Sequence, residues 1–280
     1  MRRERVSDDI YVFTSELYAQ VTATAVVTQE GIAVIDTLPF PRETRQMIDF
    51  LLRLGRGRIR YVINTHWHGD HTHGNFLFDD AQLVSHQLCA EALAGIGTQV
   101  LRESRDSMTD LHEVEIRIPD VTFDEGDMYV HLGEKSLQLI LTPGHTHDST
   151  SVYIKEDKVL VAADTIMPVP FFGWGNREDF IDSLGKIMEL SMDSVVQGHG
   201  EVLLRGEIPD SIDSSIRYLE VIQQRVDKLV ESGRGRDALR RLNIESCGKS
   251  RIPLNGLVEE LHSANVQKLY DRATRNQDRS

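Results

Sequence analysis

The sequence predicts a layered α/β protein. Short apolar runs alternate with helical stretches, four of those runs end in a residue able to bind a metal, and the periodicity turns purely helical past Arg205. The chain opens with a β-meander: Tyr11-Val12-Phe13, Val21 to Thr28 and Ile32 to Ile35 read as strands, with a turn at Glu30-Gly31. Pro41 to Leu54 carries Met47, Ile48, Leu51 and Leu52 at helical spacing and stops at Gly55, as a helix with a glycine end does. Tyr61-Val62-Ile63 then forms a buried-strand run that opens into Asn64-Thr65-His66. The middle of the chain repeats this arrangement. Leu137 to Leu141 runs into Pro143-Gly144-His145, Val159 to Ala162 into Asp164, and Val195-Val196 into Gly198-His199. Helical stretches at Gln87 to Val100 and Glu178 to Leu190 separate these runs. Sites in α/β layers lie at strand ends, so chemistry is expected where these four strands stop.

Past Arg205, a helix starting at Pro209-Asp210 spaces Ile212, Ile216, Leu219, Val226 and Leu229 for one buried face. A second helix is expected after Pro253, with Leu254, Leu257, Val258 and Leu261 in an i, i+3, i+4, i+7 stripe. Between them, Ser232 to Ser250 is rich in Gly and Arg and holds one short helical piece near Ala238 to Leu242. The expected division is a catalytic domain over 1–205 and a helical appendage over 206–280 packed on it.

At 280 residues, 40% hydrophobic and 27% charged, the chain can bury a core without disulfides. Cys89 and Cys247 lack a C-x-x-C spacing and read as buried or idle thiols. A formal charge of −13 disfavours nucleic acid, whose affinity rests on Lys and Arg at phosphates. The basic clusters Arg56 to Arg60 and Arg234 to Arg241 read as solvated surface. No apolar run approaches the length of a membrane helix, and the basic start meets Ser7-Asp8-Asp9 where a signal peptide needs apolar residues. The expectation is a cytoplasmic protein acting on a small molecule, with no membrane or nucleic-acid partner and with a homodimer left open.

The chemical signal is Thr65-His66-Trp67-His68-Gly69-Asp70-His71, which places three of the chain's 11 histidines and an aspartate in one turn after a strand. Neutral imidazole and carboxylate suit Zn²⁺, Fe or Mn. Alternate residues in an extended turn aim His66 and His68 at one ion, while Asp70 and His71 point to the other side and can hold a second. His145, Asp164 and His199 would each pass alone for a structural histidine, a turn residue and a loop histidine. Their joint placement at strand ends makes them ligand candidates.

H-x-H-x-D-H at His66 to His71, P-G-H-T at His145, A-D-T at Asp164 and G-H-G at His199 resemble the successive motifs of the metallo-β-lactamase superfamily, over roughly Ile10 to Arg205. The resemblance implies an αββα four-layer sandwich with the site along the edge between two mixed sheets. It implies that His66, His68 and His145 bind a first divalent ion, that Asp70, His71 and His199 bind a second, and that Asp164 bridges them. Asp36, in Val34-Ile35-Asp36-Thr37, matches a supporting aspartate of the family and reads equally as a strand-end turn residue. Where some lactamases carry a cysteine, this chain has Asp164, so the ligand set is closer to the glyoxalase II type of hydrolase. Thr146-His147-Asp148-Ser149 and His73 depart from the family's usual residues, and the two extra histidines, His73 and His147, read as solvent-facing or pocket residues.

The expected chemistry is hydrolysis of an ester-like bond (thioester, lactone, amide or phosphoester) by a hydroxide held between two metals, most simply Zn²⁺, with Asp70 orienting it and carrying its proton. Two alternatives share these motifs: an iron-dependent persulfide dioxygenase-like oxidoreductase, and a non-catalytic metal-binding protein. Pro168 to Trp174 follows Asp164 closely and reads either as an aromatic wall over the metals or as core. The C-terminal helices are expected to flank the same opening.

Overall fold

Side-chain alternation along the strands decides the layering. A computed structural model describes residues 1–277, so the last three residues of the expected 206–280 appendage lie outside the described part. The first sheet has seven strands in sequential order: β1 (Arg2–Ser7), β2 (Ile10–Thr14), β3 (Thr22–Thr28), β4 (Gly31–Ile35), β5 (Ile59–Ile63), β6 (Gln82–His86) and β7 (Val121–Phe123). The second holds β8 (Met128–Leu132), β9 (Lys135–Leu141), β10 (Thr150–Ile154), β11 (Val159–Ala163), β12 (Ser194–Gln197) and β13 (Leu203–Leu204), running from β13 at one edge to β8 at the other. Both sheets are mixed, with parallel pairs at β4–β5–β6–β7 and at β11–β12. The helices are α1 (Pro41–Arg53), α2 (Gly69–Thr72), α3 (Gln87–Ala92), α4 (Thr98–Arg105), α5 (Arg177–Met188), α6 (Ile208–Glu231) and α7 (Leu257–Gln277).

Three apolar interfaces follow from the period of two along each strand. Val26, Ala33 and Ile35 of the first sheet face Val159, Val161 and Val196 of the second. Ala25, Ile32 and Val34, on the opposite face of the first sheet, pack on Met47 and Leu51 of α1. Leu160 and Ala162, on the far side of the second sheet, join Phe180 and Leu184 of α5, Ile212 and Leu219 of α6, and Val258 and Val266 of α7 in one continuous cluster. This is the αββα sandwich that the resemblance implies. No helix among the described residues is long and apolar enough to cross a membrane. Cys89 and Cys247 are buried free thiols.

Three departures from the sequence reading have physical causes. The expected helix from Gln87 to Val100 is broken by a π turn at Leu93–Gly97, where Gly95 and Gly97 weaken the helical ladder, and it resumes in α4. Leu254 is not in the last helix. It sits in a left-handed turn with Asn255 and Gly256 (φ 54, 55 and 91), and α7 begins after it. Strand β1 reads Arg-Arg-Glu-Arg-Val-Ser and shows no apolar alternation because it is a half-exposed edge, where charge discourages pairing with another chain.

Candidate metal centre

The four strands named from sequence converge on one rim. The turns after β5, β9, β11 and β12 carry His66, His145, Asp164 and His199, and α2, one turn long, presents Asp70 and His71. All seven predicted residues are brought together, in two groups. His66, His68, His145 and Asp164 have ligand-type atoms within 4.8 Å of one another, and so do Asp70, His71 and His199. Asp164 stands between the groups. Its Oδ2 is 3.2 Å from His145 Nε2 and 3.5 Å from His199 Nε2, and its Oδ1 is 3.2 Å from His71 Nε2.

Whether these residues suit a cation is decided by where the imidazole protons go. His145 Nδ1 donates to the Phe171 carbonyl at 2.7 Å, and His199 Nδ1 donates to the Ala19 carbonyl at 3.0 Å. His71 Nδ1 donates to Asp36 Oδ2 at 2.8 Å. Each of these rings therefore turns an Nε2 lone pair toward the centre. His71 Nε2 and Asp164 Oδ1 then face each other as two buried acceptors, and both lack a hydrogen-bond donor among the described residues. Two lone pairs aimed at each other in a buried site are satisfied by a cation between or beside them, so the donor set suits metal ions.

Charge points the same way. Asp36, Asp70 and Asp164 are close to one another, and their ion-pair partners among the described residues are histidines alone. Burial lowers His66 and pushes His68 down to about 3, keeping both neutral. Burial alone would also lower His71 and His199, but the carboxylates together, Asp164 and Asp70 at both rings and Asp36 at His71, outweigh it, raising His71 and taking His199 to about 10, so a proton competes with a cation for these Nε2 atoms. Burial would raise Asp70, and His71 with His199 outweighs it to hold that carboxyl well below the usual range. The cluster is thus built around anionic carboxylates that need positive charge.

Asp36 is a supporting residue of the site and not merely a turn residue. Besides His71 it accepts from the Thr65 backbone N–H at 2.9 Å and the Thr65 hydroxyl at 2.7 Å, tying the start of the His66 turn to β4. It adopts φ 60, and Leu38, Ala163, Ala19 and Gln20 beside the cluster are also left-handed, at φ 68, 46, 44 and 51. Such backbone is costly for non-glycine residues and concentrates at functional sites. At Gly198 a Cβ would come within 1.9 Å of Asp164 Oδ1, so only glycine lets the β12 turn approach that carboxylate.

Above the ligands opens a cavity of about 320 Å³. Its floor is His68, Asp70, His145, Asp164 and His199, and its walls include Tyr18, Phe40, Trp67, Phe171, Trp174 and three C-terminal leucines. The aromatic segment divides: Phe171 and Trp174 face the cavity, whereas Phe172 turns into the core beneath α7. Trp174 is 48% exposed and meets Trp67 edge to face at 5.3 Å, so it is wall rather than core. This wall is pinned by α7. Lys268 Nζ donates to the carbonyls of Phe172, Gly173 and Gly175 at 2.9, 2.9 and 2.6 Å, and Asn265 Nδ2 donates to that of Pro170 at 2.7 Å.

The match to known proteins agrees with this arrangement. The model of the metallo-beta-lactamase superfamily matches residues 18–199. The chain belongs to that superfamily. A beta-lactamase-like protein 2 homolog from Caenorhabditis elegans is 26% identical over 173 residues, 62% of this chain and 52% of the relative. A hydroxyacylglutathione hydrolase from Rhizobium meliloti is 26% identical over 176 residues, 61% of this chain and 59% of the relative. The matched part thus spans little more than half the length of these curated relatives. A metallo-beta-lactamase family protein from Thermus thermophilus superposes with a TM-score of 0.70 at 16% identity, covering 98% of this chain and 95% of that one, a likeness of fold.

For this superfamily member, sequence reasoning named the candidate ligands that the fold brings together and missed much of what surrounds them. Tyr18 lies in a loop with no motif, and the Asp70 charge together with burial pushes its hydroxyl up to about 12. Asp148 is buried and accepts from the Trp67 backbone N–H at 2.9 Å, bracing the His66 to His68 turn from below. His73 lines the cavity, packed on Gly69, while His147 is exposed.

Proposed function

We propose that this protein is a two-metal hydrolase that cleaves an ester-like bond of a small molecule. The observation that carries the reading is the position of Asp164 between two ligand-type clusters, 3.2 Å from His145 Nε2 and 3.2 Å from His71 Nε2, at the floor of an open cavity. His66, His68 and His145 would hold one divalent ion, and Asp70, His71 and His199 the other, with Asp164 common to both. Zn²⁺ is the first choice for this imidazole and carboxylate set. When bound, such ions bring a water to a pKa near ~7 and polarise the oxygen of the scissile group.

The chain's own residues do the rest. Asp70 lines the cavity with Oδ2 3.4 Å from His199 Nε2, a position from which it accepts the proton of the attacking water and passes it to the leaving group. Tyr18 stays protonated through neutral pH and offers its O–H to a substrate oxygen. Trp67, Phe171 and Trp174 shield the reacting atoms from bulk water. The hydrolase among the relatives supports a hydrolytic reaction over the oxidative alternative.

The test is elemental analysis of protein purified without added metal, followed by turnover assays on thioesters, lactones, carboxyl esters, phosphodiesters and β-lactams. Two equivalents of metal per chain are expected, with cleavage of at least one class that stops on chelation and returns with Zn²⁺. A single equivalent that added metal cannot raise, or cleavage of none of these classes, overturns the reading. Copurified iron with oxygen uptake on a persulfide supports the oxidative enzyme instead.

A further inference from the structure

We propose that the substrate carries a neutral, apolar group of at most about ten non-hydrogen atoms beside its scissile bond, seated against leucines of the C-terminal segment. This rests on the hydrolase reading. Leu257 and Leu261 stand one helical turn apart on α7 and line the cavity, joined by Leu254, Met108 and Leu111. Both α7 leucines are half-buried, facing a space that water would otherwise fill. Leu254 is turned inward by its left-handed backbone, φ 54, and is 4% exposed. A bulky residue held in that conformation is uncommon, and this one serves to complete an apolar wall over polar chemistry.

Electrostatics narrow the choice further. Among the described residues no lysine or arginine lines the cavity, so a phosphate or carboxylate on this part of the substrate meets no side-chain countercharge. Arg105, on the neighbouring helix, donates its N–H groups to the carbonyls of Leu111 and Val114 instead. Size bounds the length from above. The cavity of about 320 Å³ must also take the scissile group over its polar floor, which leaves room for a short or medium chain or a small ring. Hydrolysis adds one water: a bond forms from its oxygen to the acyl carbon, the bond to the leaving oxygen or sulfur breaks, and the leaving atom takes the proton.

The molecule supplies its own reporter. Trp67 and Trp174 are its 2 tryptophans, and both line the cavity, so occupancy is read by intrinsic fluorescence without turnover. Metal-free and Zn²⁺-loaded protein are titrated with straight-chain primary amides from butanamide to dodecanamide. The expected result is a Kd that falls about two- to fourfold per methylene in both forms and flattens by about ten carbons. Leu257→Asp should abolish that dependence. The same chain lengths are then offered as p-nitrophenyl acyl esters and as alkyl acetates, to learn whether the apolar group lies on the acyl or the alcohol side.

A flat amide series in the parent protein, or tighter binding by a short dicarboxylate, overturns the proposal whatever the variant does. A clear amide series with no ester, thioester or lactone cleaved keeps the apolar site and sinks the hydrolase reading. Esters cleaved with the same kcat/KM at every length, in both series, keep the hydrolase and sink the apolar site.

Discussion

The floor and the roof of the cavity are built by opposite means. The floor is polar, buried and over-determined: His71, His145 and His199 each give one ring nitrogen to a fixed acceptor, and the backbone beside them is held in left-handed conformations. The roof is apolar and partly open, made of Trp174, Leu257 and Leu261 on segments far along the chain. A reaction needs atoms fixed to fractions of an ångström, whereas an apolar contact is non-directional and tolerates looser placement. Reaction type and substrate choice are therefore separable in this protein, and damage to one region should leave the other legible.

The sharpest break lies in the floor. Asp164→Asn is nearly isosteric but removes the carboxylate that stands between the two ligand groups. Turnover should fall at least about 10²-fold while the apparent melting temperature of the metal-free protein changes by only a few degrees. Unchanged turnover at unchanged metal content would remove Asp164 from the centre. Asp36→Asn acts one step back. It weakens the bond that orients His71, so metal affinity should drop roughly 10- to 100-fold in a competition titration with a chelator, with the amide-binding series intact. Equal affinity in variant and parent would show that Thr65 alone sets the turn.

Lys268→Met tests the roof and carries the smallest expected effect. It deletes three bonds from an ammonium to backbone carbonyls of the Trp174 loop, a loss worth about 1.5 kcal/mol or more for a charged donor. KM should rise roughly tenfold with metal stoichiometry preserved. A loss of metal without a change in KM would place Lys268 with the floor, acting through Phe171 and His145.

The same contrast explains how much the sequence disclosed. Ligand chemistry admits few residue types at close spacing, so His66, His68, Asp70 and His71 stood out, and the strand ends picked out His145, Asp164 and His199. The alternation of strands and helices was legible, but the αββα layering came from the family resemblance, because β3, β4 and β11 are buried on both faces and read as continuous apolar runs. The roof uses ordinary leucines whose periodic stripe is indistinguishable from core packing, and Leu254 left the helix through a backbone conformation that side-chain pattern does not encode. Tyr18 and Asp148 were silent because their roles come from what folds against them rather than from spacing.

Lys268 also gives the protein an order of assembly in time. The last floor residue, His199, and Lys268 are separated by 268 − 199 = 69 positions, all on the C-terminal side of the ligands. At synthesis rates of about 5–20 residues per second, roughly 3–14 s pass between the emergence of one and of the other. During that interval the nascent chain holds every candidate ligand and no fastened roof. The fastening of the Trp174 loop is thus the last of these features that the growing chain can acquire.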